Sequence, residues 1–370
     1  FPLLVRPSYV LGGRGMAIVY DANQLETYMT QAAQISPDHP IYLDKFLEGA
    51  IEVDLDALCD GTDVYIGGVM EHIEMAGIHS GDSACVIPPY SLSAGIVNTL
   101  EDIAVKLALR LGVKGLLNIQ FAIKDQVVYV IEANPRASRT VPFVSKATGV
   151  PLAKAAARIM AGEKLARLGL PAHKTDPDYY CVKEAVMPWG RFPGARVILG
   201  PEMKSTGEVM GIAPTVPAAY AKTQFAIDYA MPEGGLAFVS VNDGDKRAIV
   251  SLIRDVERMG FGIVATQGTA KVLRASGIDC LEVSKIHEAD AADGKGERPS
   301  ALDLIRDGKI SLIINTPFGT ATRSDGYEIR SAAVRHGICH TTTLAGAQAM
   351  IAGMEAARQG TVGVIALQDL

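Results

Sequence analysis

Apolar and polar positions alternate along this chain in two rhythms. Up to about residue 160 the pattern is mixed. Residues 3–5 read as a short strand, residues 23–34 as a short helix and residues 41–47 as the next strand. Residues 52–59 alternate charged and apolar side chains with a period of two, which predicts a half-exposed strand. Asp60-Gly61 turns it, and residues 64–71 return. Residues 101–111 carry helical apolar spacing that Gly112 stops, and Pro151 opens a further helix through Met160. From about 235 the rhythm becomes regular. Strands at 236–241, 262–265 and 310–315 alternate with helices at 245–259, 270–276 and 346–359. Such alternation predicts a doubly wound parallel sheet with ligands at the carboxyl ends of its strands. Residues 163–230 lie between the two rhythms. They are rich in proline and glycine, with a strand at 180–186, and read as a packed connecting region. The expected organisation is therefore a mixed α+β domain over 1–162, a connecting region over 163–230 and an α/β domain over 231–370.

The stretch from Asn118 to Arg136 combines a hairpin with candidate chemistry. Two apolar runs flank the polar turn Lys124-Asp125-Gln126. Side chains alternate faces along a strand, so Glu132 and Asn134 point the same way. A turn centred on Gln126 sets Gln120 opposite Glu132. Three oxygen donors on one face suit Mg²⁺, which takes few protein carboxylates and completes its shell with water and phosphate oxygens. Arg136 and Arg139 follow and can grip a phosphate or carboxylate. The alternative is an ordinary hairpin with a polar rim.

Three other clusters carry two readings each. Gly12-Gly13-Arg14-Gly15 is either a plain turn or a loop that closes over phosphates, with Arg6 nearby. Asp44-Lys45-Phe46-Leu47 with Glu52 is either a solvated edge strand or a strand passing an adenine, its carboxylate on a ribose. The polar run from Glu71 to Ser83 fits no familiar zinc spacing and lacks HExxH; a loop with Gly77 and Gly81 lining a pocket fits it better.

Composition narrows the classes. The 370 residues are 48% hydrophobic and carry a net charge of −6, against a general nucleic-acid or anionic-membrane binder. The five cysteines are scattered, odd in number and free of CxxC, which fits free thiols in a reducing cytoplasm. No apolar run reaches membrane-spanning length. Phe1-Pro2-Leu3-Leu4-Val5-Arg6-Pro7 reads as a strand already inside a domain, so a fragment of something longer is expected.

The strings Arg6-Pro7-Ser8-Tyr9-Val10-Leu11-Gly12-Gly13, Met70-Glu71-His72-Ile73-Glu74, Gly77-Ile78-His79-Ser80-Gly81-Asp82-Ser83, Asn118-Ile119-Gln120-Phe121 and Asn134-Pro135-Arg136 together resemble the carbamoyl-phosphate synthase large-chain family. The match runs nearly end to end with the C-terminal half of that chain. The resemblance implies an ATP-grasp domain that phosphorylates carbamate to carbamoyl phosphate, within a pathway from bicarbonate, ammonia or glutamine and ATP to pyrimidines and arginine. It implies that Arg6 contacts ATP phosphate, that Lys45 and Leu47 sit beside the adenine, and that Glu52 binds the ribose. Gly77, Ile78, His79 and Ser80 then complete the nucleotide pocket. Gln120, Glu132 and Asn134 hold Mg²⁺ or Mn²⁺, and Arg136 and Arg139 orient carbamate or the transferred phosphoryl group. A partner glutamine amidotransferase small chain and a higher oligomer are implied as well. A biotin-carboxylase-type ligase and a purely regulatory, catalytically incomplete module are the competing expectations.

Residues beyond about 230 resemble the same family's allosteric domain, which shares its fold with methylglyoxal synthase. No aspartate-rich catalytic segment of that enzyme is present. The resemblance implies that Lys246, Thr266, Thr269, Lys285 and Asn315 bind a nucleoside monophosphate such as UMP or IMP. Pro317 and Gly326 stand where the best-known enteric form has a threonine and a serine. An ornithine-type activator site over Glu74, Asp82, Glu184 and Thr342 is a further expectation, weakened because Thr341 replaces an acidic residue.

Overall fold

The computed structural model describes residues 1–8, 15–35, 40–171, 176–192, 197–227, 231–284, 299–316, 322–360, 362–364, 366 and 368. The chain divides into two compact units, residues 1–186 with 199–210, and residues 187–198 with 211–370. The Pro/Gly-rich stretch at 163–230 contributes to both.

The first unit holds two sheets. A small antiparallel one has the order β2-β1-β3, from Leu3–Pro7 (β1), Ala17–Val19 (β2) and Ile41–Lys45 (β3). The larger is seven-stranded. Its strands are Ile51–Asp60 (β4), Val64–Met75 (β5), Cys85–Ile87 (β6), Lys114–Lys124 (β7), Val127–Asn134 (β8), Tyr180–Val186 (β9) and Gly207–Ala213 (β10). They lie in the order β10-β9-β6-β5-β4-β7-β8. One face is apolar. Val53, Leu55, Ala57, Val69, Leu117, Ile119 and Phe121 pack there with Leu100, Ala104 and Ala108 of the helix Ala94–Arg110. That helix begins seven residues before the expected start at 101, because Ser93 caps it by accepting from the Ile96 N–H. Helices Val141–Thr148 and Leu152–Met160 approach β5 closely: a Cβ on Gly68 would come 2.8 Å from Val144, and one on Gly67 2.8 Å from Leu152.

β4 departs from expectation in an instructive way. Its alternation of charged and apolar residues does mark a strand, yet the charged face is not half-exposed. Glu52, Asp54 and Asp56 are all buried. They point into the polar interior described below.

The second unit is built on a five-stranded parallel sheet. Its strands are Leu236–Val241 (β11), Gly262–Thr266 (β12), Leu281–Val283 (β13), Ile310–Thr316 (β14) and Cys339–Thr341 (β15), in the order β13-β12-β11-β14-β15. The order reverses between β11 and β14. In a doubly wound sheet the ligand crevice opens there, beyond the carboxyl ends of the strands. Phe238, Val264, Ile305, Ile313 and Ala333 form its core. β11, β12 and β14 fall where the apolar runs predict them, because a strand buried on both faces reads as a continuous apolar run; the three-residue edge strands β13 and β15 were not expected.

Candidate active site

The hairpin β7–β8 turns through two residues, Asp125 and Gln126, with φ of 51° and 63°. Paired positive φ values mark a type I′ turn, one residue tighter than the three-residue turn expected. Lys124 therefore pairs with Val127, a register that by itself would bring Ile131 opposite Gln120. A bulge intervenes. Phe121 pairs with Val130 and Gln120 with Glu132, so Ile131 is the unpaired extra residue. Beyond it Asn118 pairs with Asn134. The expected pairing is present, and the bulge rather than the turn produces it.

The same face carries a row of polar side chains across the sheet. Lys183 pairs with Cys85, Cys85 with His72, Asp54 with Gln120, and Gln120 with Glu132. His72 Nε2 lies 2.8 Å from Asp54 Oδ2, both groups being buried. Asn118 donates through Nδ2 to Asp54 Oδ1 at 3.1 Å and to Asp56 Oδ1 at 3.0 Å. Asp56 also accepts from Ser138 at 2.8 Å and from Thr140 at 2.6 Å. Lys183 Nζ donates to the Ser80 carbonyl at 2.9 Å. Buried charges persist only when paired and hydrogen-bonded, and this network meets that condition.

The network sorts the carboxyls. Burial pushes Asp54 up, but the hydrogen bond and charge of His72 outweigh it and hold Asp54 below its usual range. Burial likewise opposes a charge on His72. The surrounding Cys85, Asp54 and Glu52 reverse that, so the imidazole titrates well above its usual value. Burial also dominates at Asp56, pushed up to about 6, and at Glu52, pushed up to about 7 despite nearby His72. The field of Cys85, Glu208, Glu184 and Asp54 overcomes burial at Lys183 and keeps it charged.

A cavity of about 240 Å³ opens over this row. Of the residues expected from sequence, it brings together His79, Ser80, Gly81, Gln120, Glu132, Asn134, Arg136 and Arg139. Gln120 donates to Ser80 Oγ at 2.9 Å, and Asn134 Nδ2 to Glu132 Oε1 at 2.8 Å. Arg136 donates to the Ala137 carbonyl at 3.1 Å, and Arg139 lies against the Met203 sulfur. The remaining expected residues do not line this cavity. Glu52 lies beside the Gly77 N–H on the same sheet. Gly77 has φ +110°, and a Cβ there would come 3.0 Å from the Phe46 ring, so only glycine suits this position. Ile78 is half-buried in the loop that follows, Lys45 is exposed at the end of β3, and Leu47 is half-buried beyond it. Arg6, on β1, pairs with Asp44 at 2.9 Å and stacks 5.0 Å from the Tyr42 ring centroid. Of the glycine-rich turn, residues 12–14 lie outside the described residues, as do Lys285 and Pro317.

Asp54, Asn118, Ser138, Thr140, Lys183, Met203 and Glu208 also line the cavity and were not expected. Only the period-two carboxylates of β4 announced themselves, and they were read as solvent-facing. Lys183, Met203 and Glu208 come from the stretch read as a connector. Met203 is held there by Asp82, whose carboxylate accepts from Lys204 N at 2.8 and 3.1 Å and from Ser205 N at 2.9 Å. The two glutamates of the polar run 71–83 serve the backbone in the same manner. Glu71 accepts from Tyr90 N at 2.8 Å and Ser91 N at 2.9 Å, and Glu74 from Ala84 N at 2.8 Å. Of the remaining residues expected for an activator, Glu184 accepts from the Ala185 N–H at 3.0 Å, and Thr342 follows β15.

One carboxylate and two amide oxygens on adjacent strands fit a hard cation that draws its remaining ligands from phosphate and water. The two arginines at the rim fit an anionic substrate.

In the second unit, a chain of hydrogen bonds crosses the switch point. Asn315 donates to the Ser240 carbonyl at 3.1 Å, and Thr266 Oγ1 lies 3.2 Å from Ser240 Oγ. Thr266 is the N-cap position of helix Gln267–Ala275. Thr269 Oγ1 accepts from Val241 N at 3.3 Å, so its hydroxyl serves the sheet. Lys246 pairs with Asp243 at 2.5 Å and reaches the start of that helix, where a Cβ on Gly268 would come 2.9 Å from its Nζ.

Comparison with known proteins shows what the chain is similar to. Residues 1–168 match the family described as the carbamoyl-phosphate synthase L chain, ATP binding domain, and residues 248–342 match the MGS-like domain. The chain is 53% identical to the carbamoyl phosphate synthase large chains of Mycobacterium sp. (strain JLS) and Methanothermobacter thermautotrophicus, and 50% identical to that of Pasteurella multocida. Each alignment covers all of this chain and 34% of the relative, so the chain spans about a third of their length. Among solved structures, the biotin carboxylase domain of Hydrogenobacter thermophilus 2-oxoglutarate carboxylase aligns over 61% of this chain and 56% of its own, with 19% identity and a TM-score of 0.49. The chain belongs to the carbamoyl-phosphate synthase large-chain family and joins that family's ATP-grasp, ATP-binding domain to an MGS-like domain.

Proposed function

We propose that the first unit phosphorylates carbamate with ATP to give carbamoyl phosphate, as part of carbamoyl-phosphate synthesis from bicarbonate, ammonia or glutamine, and ATP. The observation that carries this reading is the single cavity shared by Gln120, Glu132, Asn134, Arg136 and Arg139. Phosphoryl transfer needs in-line positioning and charge neutralisation more than a covalent nucleophile, and this is what the cavity supplies. Arg136 and Arg139 hold the anionic acceptor and the transferred group. Gln120, Glu132 and Asn134 hold Mg²⁺ or Mn²⁺, which when bound neutralises phosphate charge. The loop Gly77, Ile78, His79 and Ser80 closes the nucleotide pocket, with Glu52 on the ribose and Lys45 and Leu47 beside the adenine. Burial keeps His79 below its usual pKa, so a neutral imidazole faces the nucleotide. Arg6 reaches an ATP phosphate by leaving Asp44; their exposed pair is worth at most about 1 kcal/mol.

The second unit is proposed to bind a nucleoside monophosphate such as UMP or IMP at the β11/β14 switch point, through Lys246, Thr266, Thr269, Asn315 and Lys285. Glu74, Asp82, Glu184 and Thr342 are a weaker proposal for an ornithine-type activator, since backbone N–H groups already occupy the first three carboxylates. A glutamine amidotransferase small chain as partner, a higher oligomer, cytoplasmic location, and a role in pyrimidine and arginine biosynthesis complete the proposal. No helix among the described residues is long and apolar enough to cross a membrane.

The test is ATP formation from MgADP and carbamoyl phosphate, in this chain and in the natural protein that carries it, with MgATP binding measured beside it. Activity lost in Glu132→Gln supports the reading. Absence of both turnover and MgATP binding in the natural protein overturns it. Nucleoside monophosphate binding without turnover would favour a purely regulatory module.

A further inference from the structure

The largest fully buried side chain among the described residues is an arginine, Arg330, on the helix Thr322–Arg335. It is 0% exposed, and its Nη1 donates to Asn315 Oδ1 at 2.6 Å. Asn315 Nδ2 in turn donates to the Ser240 carbonyl at 3.1 Å, while Thr266 Oγ1 donates to the Ser240 hydroxyl at 3.2 Å. Arg330, Asn315, Ser240 and Thr266 thus form one line from the helix across β14 and β11 to the end of β12, at the level where the strand order reverses. An asparagine amide can rotate, but here its oxygen is held by a guanidinium and its nitrogen by a carbonyl, so it has one orientation.

Gly326 lies one helical turn before Arg330. A Cβ there would overlap the Arg330 guanidinium and come 2.9 Å from Asn315 Oδ1. Neither group can yield without breaking the 2.6 Å bond. Glycine at 326 and arginine at 330 are therefore a matched pair.

We infer that Arg330 is a positioning residue of the effector site: it fixes the Asn315 amide, and Gly326 is the residue that admits it. The inference rests on the reading of this switch point as a nucleoside monophosphate site.

The experiment is calorimetric titration of UMP, IMP and inorganic phosphate into the natural protein and into Arg330→Met, Gly326→Ser, Asn315→Ala and the double variant Asn315→Ala/Arg330→Met. Arg330→Met and Gly326→Ser should each weaken nucleotide binding by roughly tenfold or more, the size of one lost charge-assisted contact. The double variant should bind no worse than Asn315→Ala alone, because Arg330 acts through Asn315. Additive losses would assign Arg330 a general structural role and overturn the inference, as would unchanged binding in Gly326→Ser. If Arg330→Met does not fold, the cycle of Gly326→Ser with Asn315→Ala gives the same decision. Failure of the wild-type protein to bind any of the three probes overturns the effector reading and the inference with it. Binding by wild type that none of the variants alters overturns the inference alone.

Discussion

Glu132 stands directly across the hairpin from Gln120, and it does so because Ile131 is left over between them. A strand has a side-chain period of two, so one extra residue decides which face everything beyond it presents. The tight turn at Asp125-Gln126 keeps Val128 and Val130 in phase with the apolar side of β7. The bulge then returns Glu132 and Asn134 to the face of Gln120 and Asn118. Bulges gather beside functional sites for this reason.

Removing Ile131 should therefore be tolerated at the site. The deletion abolishes the bulge but keeps Glu132 next in line after Val130, opposite Gln120. Removing Ala133 instead puts Asn134 out of phase with Glu132. MgATP binding, measured by calorimetry, should survive the first deletion and be lost in the second. Equal loss in both, with the fold intact by circular dichroism, would show that the bulge itself and not the register matters.

Glu132→Gln removes the one carboxylate of the proposed cation set and keeps its shape. Loss of a preorganised charge at a phosphoryl-transfer site should lower turnover by roughly 10²–10³-fold. The check is the rate of ATP formation from MgADP and carbamoyl phosphate across a Mg²⁺ titration. A variant within a few-fold of wild type would take Glu132 out of the site.

Asp82→Ala leaves the N–H groups of Lys204 and Ser205 without their acceptor. Orphaning buried donors should cost about 1–3 kcal/mol, read from urea unfolding. Met203, which lies against Arg139 and lines the cavity, loses its anchor, so the apparent affinity for the acceptor substrate should fall as well. Unchanged stability would point instead to a carboxylate kept for a ligand.

Glu52 gives a pH signature. Its folded pKa is raised to about 7 by burial, above the ordinary value of 4.5. A raised carboxyl favours the folded state fully below the unfolded value, and that contribution is lost as pH rises through about 7. Glu52→Gln should therefore gain stability relative to wild type on going from pH 4.5 to pH 8, by about 3 kcal/mol from the shift. Thermal unfolding at a series of pH values checks it; a difference that does not change with pH would mean that Glu52 is not buried in this way.

Asp60 behaves oppositely. Burial pushes it up, but the N–H groups of Asp63, Leu165 and Thr62 outweigh burial and hold it well below the usual carboxylate range. Its stabilising contribution is present above the unfolded value and is lost as pH falls through the depressed one. Asp60→Asn should destabilise at pH 7 and much less in strong acid. Equal destabilisation at both ends would locate the effect in shape, not charge.

Local pattern determined much of this protein. The three central strands of the parallel sheet were legible because burial on both faces writes a continuous apolar run, as at Ile310–Thr316. The hairpin was legible from its polar turn between apolar runs, and so was the face shared by Glu132 and Asn134, which depends only on period two. Tertiary structure decided the rest. Whether Asp54 and Asp56 face water or a buried network depends on His72, Asn118 and Thr140, which reach them from distant parts of the chain. The bulge at Ile131 has no mark in composition, since any of the neighbouring apolar residues could have been the extra one. Lys183 and Met203 enter the cavity because β9 pairs with β6 and Asp82 ties down residues 204–205. A period is a property of neighbours in sequence, and it fixes the face a side chain takes. What lies on that face is set by strands paired across many residues, and only the folded sheet brings those together.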